Sequence, residues 1–398
     1  MPLTRDNLPS IGFVSTYPPT SCGLATFTSA LRESIAGSRG SVNGLGVVSL
    51  VDTPSDTTPP EVIHQHVRGD STSMSRAAEL LNQHDAVLIQ HEYGIYGGLD
   101  GSEALELVSM LEVPSITTLH TVLGNPTEGQ QLMLEAVVDR SDQAIVMSDT
   151  GFRRLRDRYD IEPEKGRVIP HGARVSLSGP RLDREERPVV LTWGLIGPGK
   201  GLETAIDAFA DLTDLRPLPR YRILGRTHPK VHEAQGEAYM DGLVERVRSL
   251  GLEDVVEFDR RYLDTHTLTM AIRQADMVLL PYESTEQVTS GVLVEAIAAG
   301  KPVVATAFPH AVELLEGGAG AIVPHSDSLA LAGALRSLLT DPAAAHRMSR
   351  LAGAIGSTFL WPVVAREYER VIAALVKPSR FAASPAASSS NDGLARVG

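Results

Sequence analysis

Short apolar runs, each followed by a helical pattern and then another apolar run, recur along nearly the whole chain. That alternation restricts the fold to parallel α/β architecture, because strands buried on both faces read as continuous apolar stretches and need a crossover to the next strand. A first series occupies residues 11–14, 46–50, 86–89, 115–119 and 144–147 and ends near 168–170; a second occupies 189–193, 221–224, 255–258, 277–280, 303–305 and 321–323. Between them the polar, charged stretch 175–188, with Gly179-Pro180, reads as a linker. Each half is therefore expected to be a doubly wound sheet, with the ligand in the cleft where the carboxyl ends of the two sheets face each other.

The chain is long enough for two such domains, with 398 residues of which 42% are hydrophobic. Its 36 Lys and Arg against 49 Asp and Glu give a net charge of -13, which disfavours non-specific nucleic-acid or anionic-membrane binding. A bound phosphate would have to be held by a focused local site. Cys22 is the only cysteine, so no internal disulfide forms, and with no apolar leader or bilayer-length apolar run the chain is expected to be cytoplasmic, with no transmembrane segment. Beyond Pro378 the Ser/Ala-rich tail has little to bury and is expected to be disordered.

Residues 281–306 carry the densest chemical signal: strand end, polar loop, a helix capped by Thr289 or Ser290, a stop at Gly300 and a buried strand. Ser290, Gly291 and Val292 would offer backbone N–H groups to a phosphate, and Glu295, an acid in the second turn, could accept hydrogen bonds from a ribose or sugar diol. Gln287 belongs to the polar loop before them. Lys200, in the glycine-rich loop 194–201 after the first strand of the second half, would neutralise a departing diphosphate; as a bare solvated lysine it would oppose the helix dipole that follows. Arg226, Thr227 and His228 end the next strand as further candidates.

In the first half, Cys22 and Gly23 lie between strand and amphipathic helix, where a phosphate loop belongs, although a plain turn explains them equally and Cys22 reads better as packing than as nucleophile. His91 and Glu92, in the polar Gly-rich segment 90–98, could contact an acceptor sugar, but as neighbours on extended backbone they need not both face the cleft. His120 ends a strand and could donate into the cleft; His171, flanked by Pro170 and Gly172, reads as a bend residue. No pair of these histidines has tight metal-ligand spacing.

The 194–201 loop, the strand-end His120, Ile169-Pro-His-Gly172 and residues 290–304 together resemble the retaining nucleotide-sugar glycosyltransferases of family 4, over most of residues 10–375. The resemblance implies the GT-B fold, two facing Rossmann-like domains: an acceptor domain over 1–174, a linker over 175–188, a nucleotide-sugar domain over 189–356, a helix over 357–377 crossing back onto the first, and a tail over 378–398. It implies catalytic roles for Lys200 at the diphosphate, Glu295 at the ribose and His120 near the reacting carbon, with Gly23 near the leaving group. Two departures stand out: Leu195 where the family usually has an arginine, for which Arg226 would substitute, and Gln287 where it usually has a second glutamate. The implied activity is hexose transfer, leaning to mannose carried by GDP, from a nucleotide-sugar donor to a carbohydrate or glycoconjugate acceptor by front-face substitution, with no cofactor and no metal required. A phosphate-dependent sugar phosphorylase and a catalytically silent sugar-nucleotide-binding subunit are the rival readings. Oligomeric state is not legible.

Overall fold

A computed structural model describes residues 8–174 and 186–376 of the chain. The expected linker falls largely on residues 175–185 and the expected tail on 378–398, both outside the described residues. The first lobe is built on β1 (Ile11–Ser15), β2 (Leu45–Val51), β3 (Val62–Val67), β4 (Ala86–His91), β5 (Ser115–Leu119), β6 (Gln143–Val146) and β7 (Gly166–Val168), in the order β3-β2-β1-β4-β5-β6-β7. The second is built on β8 (Val189–Trp193), β9 (Arg220–Leu224), β10 (Val256–Asp259), β11 (Met277–Leu280), β12 (Val303–Thr306) and β13 (Gly320–Val323), in the order β10-β9-β8-β11-β12-β13. Every pairing is parallel. Both are therefore doubly wound sheets with helices on each face, as the alternating pattern requires.

Alternation along each strand divides each lobe into two core layers. In β1, Ile11 and Phe13 pack with Phe27, Leu31 and Ile35 of the Gly23–Arg39 helix, whereas Val14 packs on the opposite face with Met74 and Leu107. The apolar pattern misses β3, Val-Ile-His-Gln-His-Val: it is the edge strand, and His64 and Gln65 are only partly covered, so polar residues are tolerated where a central strand would need apolar ones, while the buried His66 lies 3.5 Å from the Glu103 carboxylate.

The C-terminal helix spans Trp361–Leu375, two residues earlier than periodicity alone indicates, because Pro362 sits in its first turn, where its missing N–H leaves no bond unmade. Its Trp361, Val364, Tyr368 and Ile372 join the same core as Phe27 and Leu31, so the chain returns from the second lobe to complete the first. Trp361 meets Phe27 edge-on at 5.0 Å, Tyr368 and Thr118 hydroxyls lie 3.1 Å apart, and Arg39 pairs with Glu369 at 2.8 Å. Backbone bonds Ala173 N–H to Phe359 O and Trp361 N–H to Ala173 O tie the two crossover points together.

Further contacts clasp the lobes. The Glu286 carboxylate accepts from Arg154 at 2.9 Å and from Gly124 N–H at 2.7 Å, and Glu313 accepts from the N–H groups of Asp149 and Thr150 at 3.0 and 2.8 Å, at the positive end of the Asp149–Arg158 helix. Val288 packs into the first-lobe cluster of Leu119 and Val122. Trp361→Ala should cost about 3–5 kcal/mol of stability by opening a cavity where the returning helix meets the first lobe. Denaturant unfolding measures this, and an unchanged midpoint would mean that the returning helix does not support the first lobe.

Candidate functional site

The loops leaving the carboxyl ends of both sheets enclose a cleft of about 740 Å³. From the first lobe come the Pro18–Gly23 loop after β1, His120 after β5 and His171 after β7; from the second come Lys200 after β8, His228 after β9, and the start of the Gly291–Ala298 helix after β11. The two lobes also touch across the opening, where the hydroxyls of Thr26 and Tyr262 lie 3.3 Å apart.

On the second-lobe wall, Gly201 adopts φ 64°, and a Cβ there would lie 1.8 Å from the Pro281 carbonyl oxygen, so only glycine lets the 194–201 loop fold this tightly before its helix. Lys200, immediately before it, lies with Nζ 4.3 Å from the centre of the Tyr282 ring and has no carboxylate partner among the described residues. Burial lowers its pKa from the ordinary lysine value. An anion entering the cleft would supply the missing counter-charge.

The Gly291–Ala298 helix is capped by Ser290, whose Oγ accepts from Leu293 N–H at 3.2 Å and whose own N–H donates to His310 Nδ1 at 2.9 Å. Expected as a substrate contact, Ser290 is instead buried and spent on the cap, and Thr289 does not cap. The N–H groups of Gly291 and Val292 are left without a protein acceptor among the described residues and lie on the cleft wall, the arrangement that binds phosphate at helix N-termini. One turn on, Glu295 accepts from the Trp193 side chain and feels the charge of Arg174; burial nonetheless raises its pKa. Two side chains that the sequence did not single out, Trp193 and Arg174, thus border this end of the cleft, beside Thr289, whose Oγ1 is buried and unpaired. Trp193 was findable, being the last residue of a central strand.

Cys22 and Gly23 line the first-lobe wall. Cys22 is the N-cap of the Gly23–Arg39 helix, its Sγ accepting from Ala25 N–H at 3.4 Å and lying 3.1 Å from Thr16 Oγ1, so it has a local structural task; a Cβ at Gly23 would face open space. The His120 ring packs edge-on against Phe27 at 4.9 Å, with Nε2 2.8 Å from Gln90 Oε1. Burial drives its pKa down to about 3, so it is neutral. With Nε2 engaged by Gln90, Nδ1 is the nitrogen left for the cleft. His171 is more than a bend residue. Its Nδ1–H donates to the Gly172 carbonyl at 2.7 Å, and its ring lies where a Cβ on Gly291 would come within 2.8 Å, so glycine there lets the two lobes meet.

Several expected contacts lie elsewhere. His91 and Glu92 do not line the cleft. β4 runs on through His91, which puts that ring on the far face of the sheet against Tyr93 and Tyr96, at 5.1 and 6.3 Å, fully buried and with its pKa lowered to about 4 by desolvation. Glu92 hydrogen-bonds the Thr121 hydroxyl, and burial raises its pKa. Arg226 also misses the cleft wall; its guanidinium carbon sits 5.5 Å from the Tyr262 ring centre while its main chain pairs with Ile196, so it does not take the place of a cation at Leu195. Gln287 is held by its own loop, Nε2 donating to Thr289 O at 3.1 Å. Thr227 is buried and donates to Glu237 at 2.7 Å, and of its neighbours only His228 reaches the cleft. Among the described residues no cluster of three or more His, Cys, Asp or Glu is arranged to hold a metal, and no helix is long and apolar enough to cross a membrane.

Comparison with known proteins agrees with this geometry. The family described as "Glycosyl transferases group 1" matches residues 178–353, the lobe that carries Lys200 and Glu295. The phosphatidyl-myo-inositol mannosyltransferase of Mycobacterium leprae is 30% identical over 270 residues, 65% of this chain and 67% of that one. The chain belongs to the group 1 glycosyltransferases. The D-inositol 3-phosphate glycosyltransferase of Kineococcus radiotolerans is 30% identical over 292 residues, and the aligned region is 64% of this chain and 64% of that relative's length. Among solved structures, Anabaena HepE in complex with UDP superposes with a TM-score of 0.73 at 20% identity, covering 92% of this chain and 100% of that one. Sucrose-phosphate synthase from Thermosynechococcus elongatus gives 0.71 at 20% identity over 92% and 99%. These two share the GT-B fold, two parallel sheets facing across a cleft.

In this glycosyltransferase the raised pKa of Glu295 has a signed consequence for stability. A carboxyl whose folded pKa lies above its unfolded value is protonated more readily in the fold, so the unliganded protein loses stability as pH rises from the ordinary glutamate value of 4.5 through the elevated one. Glu295→Gln should therefore raise the unliganded Tm at neutral pH, with the advantage fading as pH falls below that window. A Tm difference that does not vary with pH would refute the desolvated state of this carboxyl.

Proposed function

We propose that this glycosyltransferase is a retaining hexosyltransferase that binds a nucleoside diphosphate hexose along its second lobe and passes the hexose to an acceptor hydroxyl entering beside the Pro18–Gly23 loop. The observation that carries the reading is the pairing, on one wall, of an uncompensated Lys200 ammonium with the free N–H groups of Gly291 and Val292, opposite a neutral His120. That is a receptor for a diphosphate. Glu295 would take the ribose diol, and the transferred sugar would extend toward His120.

In the proposed step the bond from the anomeric carbon to the diphosphate oxygen breaks as the acceptor oxygen attacks the same face. The acceptor's proton passes to the departing phosphate oxygen, giving glycosylated acceptor and nucleoside diphosphate. Lys200 and the helix N-terminus stabilise charge that is greatest on the leaving group, so they act on the transition state more than on the bound donor. A double displacement would instead need a free carboxylate at the anomeric carbon. The cleft's other acids are occupied: Glu33 accepts from Ser29 at 2.9 Å and Asp264 from Thr267 N–H at 2.9 Å. The relatives' names support a cyclic polyol or carbohydrate acceptor and mannose as the sugar; the GDP lean follows from family resemblance. The single cysteine supports a cytoplasmic setting.

A correct donor stabilises by mass action, about 2.7 kcal/mol at a hundred times Kd, so thermal-shift screening of GDP-mannose, UDP-glucose and hexose 1-phosphates should single one out. Turnover with that donor should release nucleoside diphosphate and leave the anomeric configuration unchanged. Phosphate-dependent release of sugar 1-phosphate, or binding without turnover on any acceptor, would replace this reading with a phosphorylase or a silent binding subunit. Lys200→Ala should lower kcat by roughly 10²–10³ while leaving the fold intact; a near-normal rate would remove this lysine from the chemistry.

A further inference from the structure

Gln90 has no role in the transfer reaction as described, yet it occupies an expensive position. It lies in the central strand β4, is fully buried, and follows Leu88 on the face that packs against Phe27 and Trp361. Its Oε1 lies 2.8 Å from His120 Nε2, whereas its Nε2 is buried without any partner. A leucine would fit the surrounding apolar layer without two orphaned donors, each unsatisfied buried polar group costing about 1–3 kcal/mol. Such a cost in a central strand marks a group retained for something other than packing.

The bond it does make is directional. A carbonyl oxygen can only accept, so His120 Nε2 must carry the ring proton and Nδ1 a lone pair. The remaining restraints fix the ring's place: Phe27 packs edge-on at 4.9 Å, and the His120 main-chain N–H donates to His91 O at 3.0 Å. The ionisable groups near the ring are His171 and His91; both push its pKa down with burial, so nothing there favours an imidazolium.

We propose that Gln90 is a positioning residue which sets the tautomer of His120, so that Nδ1 faces the cleft as an acceptor and binds a hydroxyl of the transferred hexose by receiving its proton. This rests on the hexosyl-transfer reading for the identity of the hydroxyl, but the tautomer itself is a property of the unliganded protein. A sugar with a hydroxyl at that point is bound, and a deoxy analogue loses the contact.

The test combines a spectrum with kinetics. In the full-length protein labelled with 15N at histidine, the His120 ring, identified by its loss in His120→Asn, should show a protonated Nε2 and a bare Nδ1. A proton on Nδ1 overturns the proposal. Gln90→Leu should lower kcat/KM with the nucleotide sugar about tenfold or more, while Tm stays within a few degrees, and in the same spectrum its His120 ring should no longer hold Nδ1 bare. Equal kcat/KM for Gln90→Leu and the unaltered protein would also overturn it. If the unaltered protein turns over no nucleotide sugar, the transfer reading fails, and the spectrum still decides the tautomer.

Discussion

Parallel strands cannot be joined by tight turns, and that constraint shapes everything in this molecule. Each strand must be followed by a crossover that lies on a face of its sheet, so the segments leaving the strands' carboxyl ends collect along one edge. Two such sheets, set with those edges opposed, bring the loops after β1, β5 and β7 against those after β8, β9 and β11. The interlobe bonds of Glu286 and Glu313 and the returning helix that begins at Trp361 hold the edges together. The cleft is a consequence of topology before it is a consequence of any one side chain.

Within the cleft, electrostatic tasks are divided by burial. A chain with net charge -13 has no diffuse attraction for an anion, so under the proposed function a diphosphate would rely on the Lys200 ammonium and a helix terminus in partly desolvated surroundings, where each interaction is stronger than in water. Burial acts the other way on the imidazoles: His120 and His171, with pKa values pushed down to about 3 and about 4, are neutral hydrogen-bonding groups. The first-lobe imidazoles therefore bring hydrogen-bonding capacity to the cleft without adding positive charge.

Residues whose role follows from their place at a strand end or helix start were legible from the chain alone. Lys200 after β8, His120 after β5 and Gly291 at the start of its helix all reach the cleft that their positions implied. Errors arose where one residue's parity or partner mattered. The polar segment after residue 89 reads as a loop, but β4 continues through His91, and so Gln90 rather than His91 or Glu92 reaches His120. Ser290 is the buried cap, Arg226 is drawn to Tyr262, and His171, which reads as a bend residue, lies with its ring against Gly291.

The sequence by itself determined the architecture, because buried parallel strands impose unbroken apolar runs and helix termini impose caps and glycines, both of which are local. It also determined that the second half carries a glycine-rich loop ending in a lysine and a helix with an acid in its second turn. Only tertiary structure decided which partners each polar group finds. Trp193 reaching Glu295, Gln90 reaching His120 and Glu286 reaching Arg154 are contacts between residues 30 to 132 positions apart or across separate strands and lobes, and no local pattern in the chain encodes the distance between them.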